Sequence, residues 1–455
     1  MIKTASQNRL ILLAGDIVLI AASVYLGPIL RFGILLDPAA IIDISDIITI
    51  VLYILILYIF DFYNLEKRTG KSSFTLRFAL AVITINMINV SLFYILHIRP
   101  YGSGILAISG SFAFLFLLTW RFAFMYFLDT RKPLKVLILG AGKSGKSLCH
   151  VLQSRSDFKM AGFVDDDPEK RDLQIGDYAV LGNTCDLKEL VIRHKIDLVI
   201  VAATKKRSIE FFQKLVEVKF SGVNVYEMPT FYEEYFEVIP VLHTTNMWLG
   251  FADISGVERN IYNTKLKKLF DKAMAIILLV IAFPVMLLTV LLVKLESDGP
   301  VFYYQNRVGW DEKIFKVIKF RSMKINAEAN GAVWAQENDP RVTRVGKIIR
   351  LLRIDELPQL WNVLKGDMSF VGPRPERPEF VESLKKEIPF YSLRHSIRPG
   401  ITGWAQVNYP YGATVKDALA KLEYDLYYIK NVILPLDLII IARTVRTVLF
   451  GKGAR

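Results

Sequence analysis

The chain opens with four long apolar stretches, at roughly 10–30, 46–63, 76–96 and 104–128. Each approaches or exceeds the ~17–25 residues that cross a ~30 Å hydrocarbon core. The first has the length of a signal peptide, but no small-residue cleavage site follows it and three more apolar stretches do. The spacing therefore predicts a unit of four transmembrane helices over 1–132. Basic residues orient them: Lys3 and Arg9 precede the first helix, Lys67, Arg68, Lys71 and Arg77 separate the second from the third, and Arg131, Lys132 and Lys135 follow the fourth. The other two loops carry Arg31 and Arg99, with Asp37, Asp43 and Asp46 in the longer one. An excess of Lys and Arg marks the cytoplasmic side, which places both ends of this unit there. Arg121 falls inside the fourth stretch and receives no role.

Beyond residue 133 the pattern shortens and alternates. KVLILG reads as a strand, SGKSLCHVLQS as a helix, FKMAGFVDDD as a second strand, LKELVIRH as a helix and IDLVIVAA as a buried strand. RSIEFFQKLVEVKFSG and VNVYEMP add another helix and strand. Strands alternating with short helices predict a parallel sheet with crossover helices, a Rossmann-like α/β domain over 133–230. A linker over 231–262 then leads to a further α/β region over 263–455.

That region starts with an apolar run, about 270–293, interrupted by Pro284 and flanked by Lys265, Lys267, Lys268 and Lys272 before it and Lys294, Arg307 and Lys313 after it. Basic flanks on both sides favour a re-entrant segment that enters one leaflet and returns, with Pro284 as its break. The closing LPLDLIIIARTVRTVLF is interrupted by Asp437, Arg443 and Arg446 and, with Tyr424, Tyr427 and Tyr428 before it, reads as a helix lying at the membrane surface.

Charge and chemistry sharpen this. The 455 residues carry a formal charge of +13, which suits anionic lipid, a phosphorylated substrate or nucleic acid. No helix-turn-helix, zinc finger or RNA-binding aromatic pattern accompanies the charge, so a nucleic-acid partner is disfavoured. Two cysteines, Cys149 and Cys185, give neither a disulfide scaffold nor a zinc site. In KVLILGAGKSGKSL, Gly140, Gly142 and Gly145 satisfy a dinucleotide fingerprint while Gly140, Gly145, Lys146 and Ser147 satisfy a P-loop. Asp165, at the end of the next strand, stands where a ribose-binding acid belongs. Both readings stay open beside a third, in which the glycines only permit a tight turn. A nucleotide or NAD is the ligand this domain would take, in support of assembly or regulation.

The stronger chemistry lies in RIDELPQLWNVL, where Asp355 and Glu356 are adjacent and point ~100° apart on a helical path. One carboxylate can attack phosphorus while the other holds Mg²⁺ against the same phosphates. Pro358 puts the pair at a helix start or between two helices. Ile348, Leu351, Leu352, Leu357, Leu360 and Leu364 supply much of an apolar helical face.

QNRVG, KFRSM, NDPRVTRVGKIIR, RIDELPQLWNVLKGDMSFVGPRP, RPGITGWAQVN and the closing YDLYYIKN…LFGKGAR follow one another in the last 190 or so residues. This string resembles the bacterial polyprenyl-phosphate phosphoglycosyl transferase family, in the large form typified by undecaprenyl-phosphate glucose and galactose phosphotransferases. The resemblance implies that Asp355 attacks the β-phosphate of a UDP-sugar and releases UMP. It implies that Glu356 binds Mg²⁺, and that undecaprenyl phosphate takes the phosphosugar from the aspartyl intermediate, opening capsule, exopolysaccharide or O-antigen synthesis. Glucose or galactose is the expected donor sugar, with an N-acetylated sugar as the alternative. Pro373, Arg374 and Pro375 are implied to lie beside substrate phosphate, with Arg321, Arg353 and Arg398 as further substrate-binding cations. A homodimer in the cytoplasmic membrane, catalytic domain inward, completes the expectation. His395 is left out, since an ionised aspartate needs no base to activate it.

Overall fold

The computed structural model describes residues 5–33, 44–64, 71–95, 103–130, 132–171, 173–202, 208–258, 260–324, 339–410, 412 and 414–449. The orienting charges Lys3, Asp37, Asp43, Lys67, Arg68, Arg99 and Arg131 lie outside the described residues. Two compact units divide the chain, Met1–Lys132 and Pro133–Arg455.

The first unit holds α1 (Ala5–Phe32), α2 (Ile44–Ile59), α3 (Lys71–Ile95) and α4 (Ser103–Asp129). Segments Gln7–Phe32, Ser73–Ile95 and Gly104–Leu128 are long and apolar enough to cross a membrane, whereas α2 has 16 residues, about 24 Å at 1.5 Å per residue. Leu12, Ile20, Tyr53, Leu57, Phe78, Ile85 and Leu117 form the buried seam, while Leu80, Ile83, Met87 and Leu115 point outward. Outward apolar residues are what a lipid solvent accepts. Arg121 neither reaches for an interface nor awaits a partner chain. It is buried and donates from Nη2 to Asp16 Oδ2 at 2.6 Å and from Nη1 to Phe62 O at 2.5 Å, and Tyr63 donates to the same Asp16 oxygen. An intramembrane charge is thus matched inside the bundle.

The second unit begins with β1 (Leu134–Leu139), α5 (Lys143–Gln153), β2 (Phe158–Val164), a small hairpin of β3 (Gln174–Ile175) and β4 (Tyr178–Ala179), α6 (Leu187–His194), β5 (Leu198–Val201), α7 (Ile209–Phe220) and β6 (Asn224–Glu227). The sheet is parallel, in the order β2-β1-β5-β6. Strand side chains alternate between faces: Val136, Ile138, Leu198 and Ile200 enter one core and Leu137, Leu139, Val199 and Val201 the other. Burial of both faces explains the unbroken apolar runs. The hairpin was not anticipated; at two residues per strand it leaves no periodic signal.

The segment 231–262, read above as a linker, is folded. It contains most of α8 (Met228–Phe236) and all of α9 (Asn246–Phe251), and Ile239 and Val241 enter a core shared with Leu422, Leu426 and Ile429. A π-helical turn at Tyr262–Leu266 leads into α10 (Lys267–Glu296). This helix runs through Pro284 as one element, contrary to the expected break. A proline removes a single amide donor, and the ladder on either side suffices to continue the helix.

The rest comprises the antiparallel pair β7 (Phe302–Val308) and β8 (Ile314–Phe320), α11 (Arg344–Leu351), α12 (Gln359–Lys365), β9 (Ser369–Val371), α13 (Pro378–Glu387), β10 (Gly400–Thr402), α14 (Trp404–Asn408), α15 (Val415–Lys430) and α16 (Leu434–Leu449). A reciprocal Thr414–Asp417 capping box starts α15. Ala275, Val317, Leu360, Val371, Trp404, Tyr428 and Ile440 meet in the core. Tyr428 is therefore a core residue, its hydroxyl donating to Asp437 Oδ1 at 2.6 Å, and not part of an aromatic interface. The five leucines and one isoleucine expected on one helical face split: Leu360 is buried, whereas Ile348 and Leu351 of α11 and Leu352 just after it are exposed.

Both ends of α10 are tied to this region. Asp271 accepts from Phe370 N at 3.0 Å and Ser369 Oγ at 2.7 Å, and Glu296 accepts from Val345 N at 3.1 Å. One stripe, through Asp271, Ala275, Thr289 and Val293, is buried, while Val280, Ile281, Phe283, Leu287 and Leu288 are exposed.

Candidate active site

Asp355 and Glu356 occupy a single 3-10 turn, Ile354–Glu356, between α11 and α12. Pro358 caps α12 and closes the interval. Arg353, immediately before the turn, takes a left-handed backbone with φ +56°, a region that L side chains seldom enter. Both carboxylates are buried, 8% and 9% exposed.

Their environments differ. Glu356 Oε1 accepts from Lys319 Nζ at 3.0 Å and from Arg374 Nη2 at 2.6 Å. Burial opposes its ionisation, but Arg374 and Lys319 outweigh burial and hold the carboxyl well below the usual glutamate range. Asp355 has no such pair. Burial and the neighbouring Glu356 charge push it up, with Lys319, Arg353 and Arg350 opposing, and its Oδ1 is buried without a hydrogen-bond partner. The premise that Asp355 is ionised as an ordinary aspartate is thereby corrected. Such a carboxylate is poorly solvated and unengaged, as suits a nucleophile. His395 is pushed down to about 4, chiefly by burial, and so stays neutral at physiological pH.

Pro373–Pro375 follow β9 and their backbone is fixed at every carbonyl. Gly400 N donates to Pro373 O at 2.9 Å, Arg394 Nη2 to Arg374 O at 3.0 Å and Arg307 Nη1 to Pro375 O at 3.0 Å. Arg394 is itself held by the buried Asp425 at 2.8 Å. Gly372 allows the strands to approach, since a Cβ there would lie 2.4 Å from Arg398 O. These contacts aim Arg374 at the dyad.

Of the other expected cations, Arg321 and Arg398 make their contacts away from the dyad. Arg321 donates to Ser297 O and Oγ at 2.7 and 2.9 Å. Arg398 donates to Gly366 O at 3.0 Å and stacks over Trp310. Arg353 stays within electrostatic reach of both carboxylates. Lys319 belongs to the site more directly than Arg321, and the signal was present: β8 alternates, so residues 319 and 321 share a face only while the strand lasts, and it ends at Phe320.

Among the described residues no three His, Cys, Asp or Glu side chains converge on one point. Glu356, held ionised beside the reacting carboxylate, fits a hard divalent cation completed by substrate phosphate and water.

At the glycine turn, Gly140 has φ +110° and a Cβ on Gly145 would meet Gly140 O at 1.9 Å. The turn lies at the carboxyl end of β1, beside β5, where the strand order reverses. Asp165 Oδ2 accepts from Ala141 N at 2.7 Å and from Lys170 Nζ at 3.1 Å. Gly142 precedes α5 without a side-chain cap, and Ser144 Oγ lies 3.0 Å from His243 Nδ1. Asp165 therefore secures the turn itself.

Comparison with known proteins gives two family matches. Residues 58–229 match a CoA-binding domain, and residues 262–451 match the bacterial sugar transferase family. The UDP-N-acetylgalactosamine-undecaprenyl-phosphate N-acetylgalactosaminephosphotransferase of Aeromonas hydrophila is 55% identical over 190 residues, 42% of this chain and 45% of that protein. A putative undecaprenyl-phosphate N-acetylgalactosaminyl 1-phosphate transferase of Bacillus subtilis is 57% identical over 129 residues, 28% of this chain and 72% of that protein. The UDP-glucose:undecaprenyl-phosphate glucose-1-phosphate transferase of Escherichia coli is 43% identical over 205 residues, 44% of this chain and 43% of that protein. The chain thus spans under half the length of the Aeromonas and Escherichia relatives. Residues 262–451 include Lys319, Asp355, Glu356 and Arg374, the match covers most of the shorter Bacillus protein, and the chain belongs to the bacterial sugar transferase family.

Proposed function

We propose that this protein transfers a sugar 1-phosphate from a UDP-sugar to undecaprenyl phosphate at the cytoplasmic face of the bacterial cytoplasmic membrane. The observation that carries the reading is the asymmetric dyad: an unpartnered buried Asp355 beside a Glu356 pinned by Lys319 and Arg374. An Asp355 oxygen attacks the sugar-bearing phosphorus, the P–O bond to UMP breaks, and UMP leaves with that electron pair. An oxygen of the lipid phosphate then attacks the same phosphorus and returns Asp355 as a carboxylate. Arg374 and Lys319 stabilise charge on the transferring group. Mg²⁺ bound at Glu356 would neutralise the donor diphosphate.

Both ends of α10 are bonded to one globular region, which supports a catalytic domain with both ends of this membrane segment on one side of the bilayer, although the helix lacks the break at Pro284 expected of a re-entrant turn. For the donor, the 55% and 57% identity to N-acetylgalactosamine-named relatives, against 43% to the glucose-named one, moves an N-acetylhexosamine ahead of glucose or galactose. The glycine turn is assigned a structural or sensory nucleotide or NAD, and the protein a homodimeric state.

The test is incubation with UDP-sugar carrying ³²P at the β position. Wild type should retain label on the protein and pass it to extractable lipid in a Mg²⁺-dependent manner. Asp355→Asn should do neither, and turnover by that variant would overturn the covalent mechanism. A panel of UDP-sugars in the same assay ranks the donors.

A further inference from the structure

The membrane unit encloses a cavity that the transfer reaction does not use. Near the end of α1 and the start of α2, Ser23, Ser45, Asp46, Thr49, Asn86 and Asn89 line a space of about 20 Å³, room for one water-sized guest. Ser23, Ser45 and Asn89 are each 1% exposed, Asp46 6% and Thr49 8%. So many polar groups inside an otherwise apolar bundle are costly unless something satisfies them.

The lining offers acceptors. Ser23 Oγ donates its proton to Ile20 O at 2.7 Å and Thr49 Oγ1 to Ser45 O at 2.9 Å. Asn86 Nδ2 donates to Val82 O at 2.9 Å, and Tyr53 donates to Asn86 Oδ1 at 3.4 Å. The oxygens keep lone pairs after those protons are spent. Ser45 Oγ and Asn89 Oδ1 are buried with no hydrogen-bond partner. Among the described residues the lining carries one carboxylate, Asp46, and no Lys, Arg or His. Gly110 preserves the space, because a Cβ there would lie 2.7 Å from Asn86 Nδ2.

We propose that this cavity binds a monovalent cation of about the size of Na⁺, ligated by carboxylate, amide and hydroxyl oxygens. Oxygen donors suit hard cations. A single carboxylate balances a single charge, whereas Ca²⁺ sites gather several carboxylates and Mg²⁺ retains its waters. An ionisable residue within a bundle, surrounded by oriented oxygens, is the arrangement that marks ion sites in membrane proteins.

The experiment is equilibrium binding of ²²Na⁺ to full-length protein in nanodiscs, with choline chloride holding ionic strength constant. Wild type should bind saturably. Asp46→Asn and Asn89→Leu should each weaken binding by about tenfold or more. Ser45→Ala, a small change that should leave folding and sugar-phosphate transfer intact, should also lower the affinity. Absence of saturable ²²Na⁺ binding to wild type, the result expected if the cavity takes water only, would overturn the proposal. So would equal affinity in wild type and folded Ser45→Ala.

Discussion

Replacing Lys319 by Met tests how the dyad is tuned. Lys319 Nζ lies 3.0 Å from Glu356 Oε1; at an effective dielectric near 20 such a pair is worth roughly 5 kcal/mol before desolvation. Burying the ammonium takes back several kcal/mol, and Arg374 still faces the same oxygen at 2.6 Å. A net loss of about 1.4–3 kcal/mol remains, or ~10–100-fold in rate. The same change removes an interaction that holds Asp355 down against burial, so the Asp355 carboxyl should move further up. Since the ionised form attacks, activity falls as pH falls through that value. The assay is single-turnover formation of the protein-bound phosphosugar against pH at saturating Mg²⁺. The variant should show a slower plateau and an acid limb displaced to higher pH. An unmoved limb, or one displaced downward, would refute the electrostatic account even if the rate fell.

Two further outcomes follow from other parts of the second unit. Glu423, which accepts from Val241 N at 3.1 Å, is raised by burial to about 7; a raised folded-state value contributes stability that is full below ~4.5 and lost as pH rises through ~7, so Glu423→Gln should flatten the fall of the unfolding midpoint between pH 5 and 8, and a wild-type-like slope would count against it. Cysteines placed singly at Lys267 and Glu296 should both react with an impermeant reagent from the cytoplasmic side, and labelling of residue 296 from the opposite side would make α10 a true span.

The α/β order of the middle domain was legible because Val136–Leu139 and Leu198–Val201 are buried on both faces, which writes burial directly into the sequence. The dyad was legible as a pair of adjacent acids before Pro358. What could not be read was their inequality, which depends on Lys319 from β8 and Arg374 from beyond β9, 37 and 18 residues away. Continuity of α10 through Pro284 also escaped, because composition signals a lost donor but not whether the flanking ladder tolerates it. Arg121 was invisible as a pair since Asp16 lies 105 residues earlier. Segment 231–262 looked like a linker because its apolar residues serve a core assembled with α15.

Arg353 stands where the backbone would accept glycine more readily, at φ +56°. An L side chain in that region costs roughly 1–2 kcal/mol, while glycine costs a comparable ~0.5–1 kcal/mol through the freedom it gives the unfolded chain. In its backbone cost alone, Arg353→Gly is therefore close to neutral for folding. Its guanidinium, however, lowers the carboxyls of both Asp355 and Glu356. Expression level, melting temperature and solubility would all pass such a variant as sound, and only the chemistry would register the missing charge.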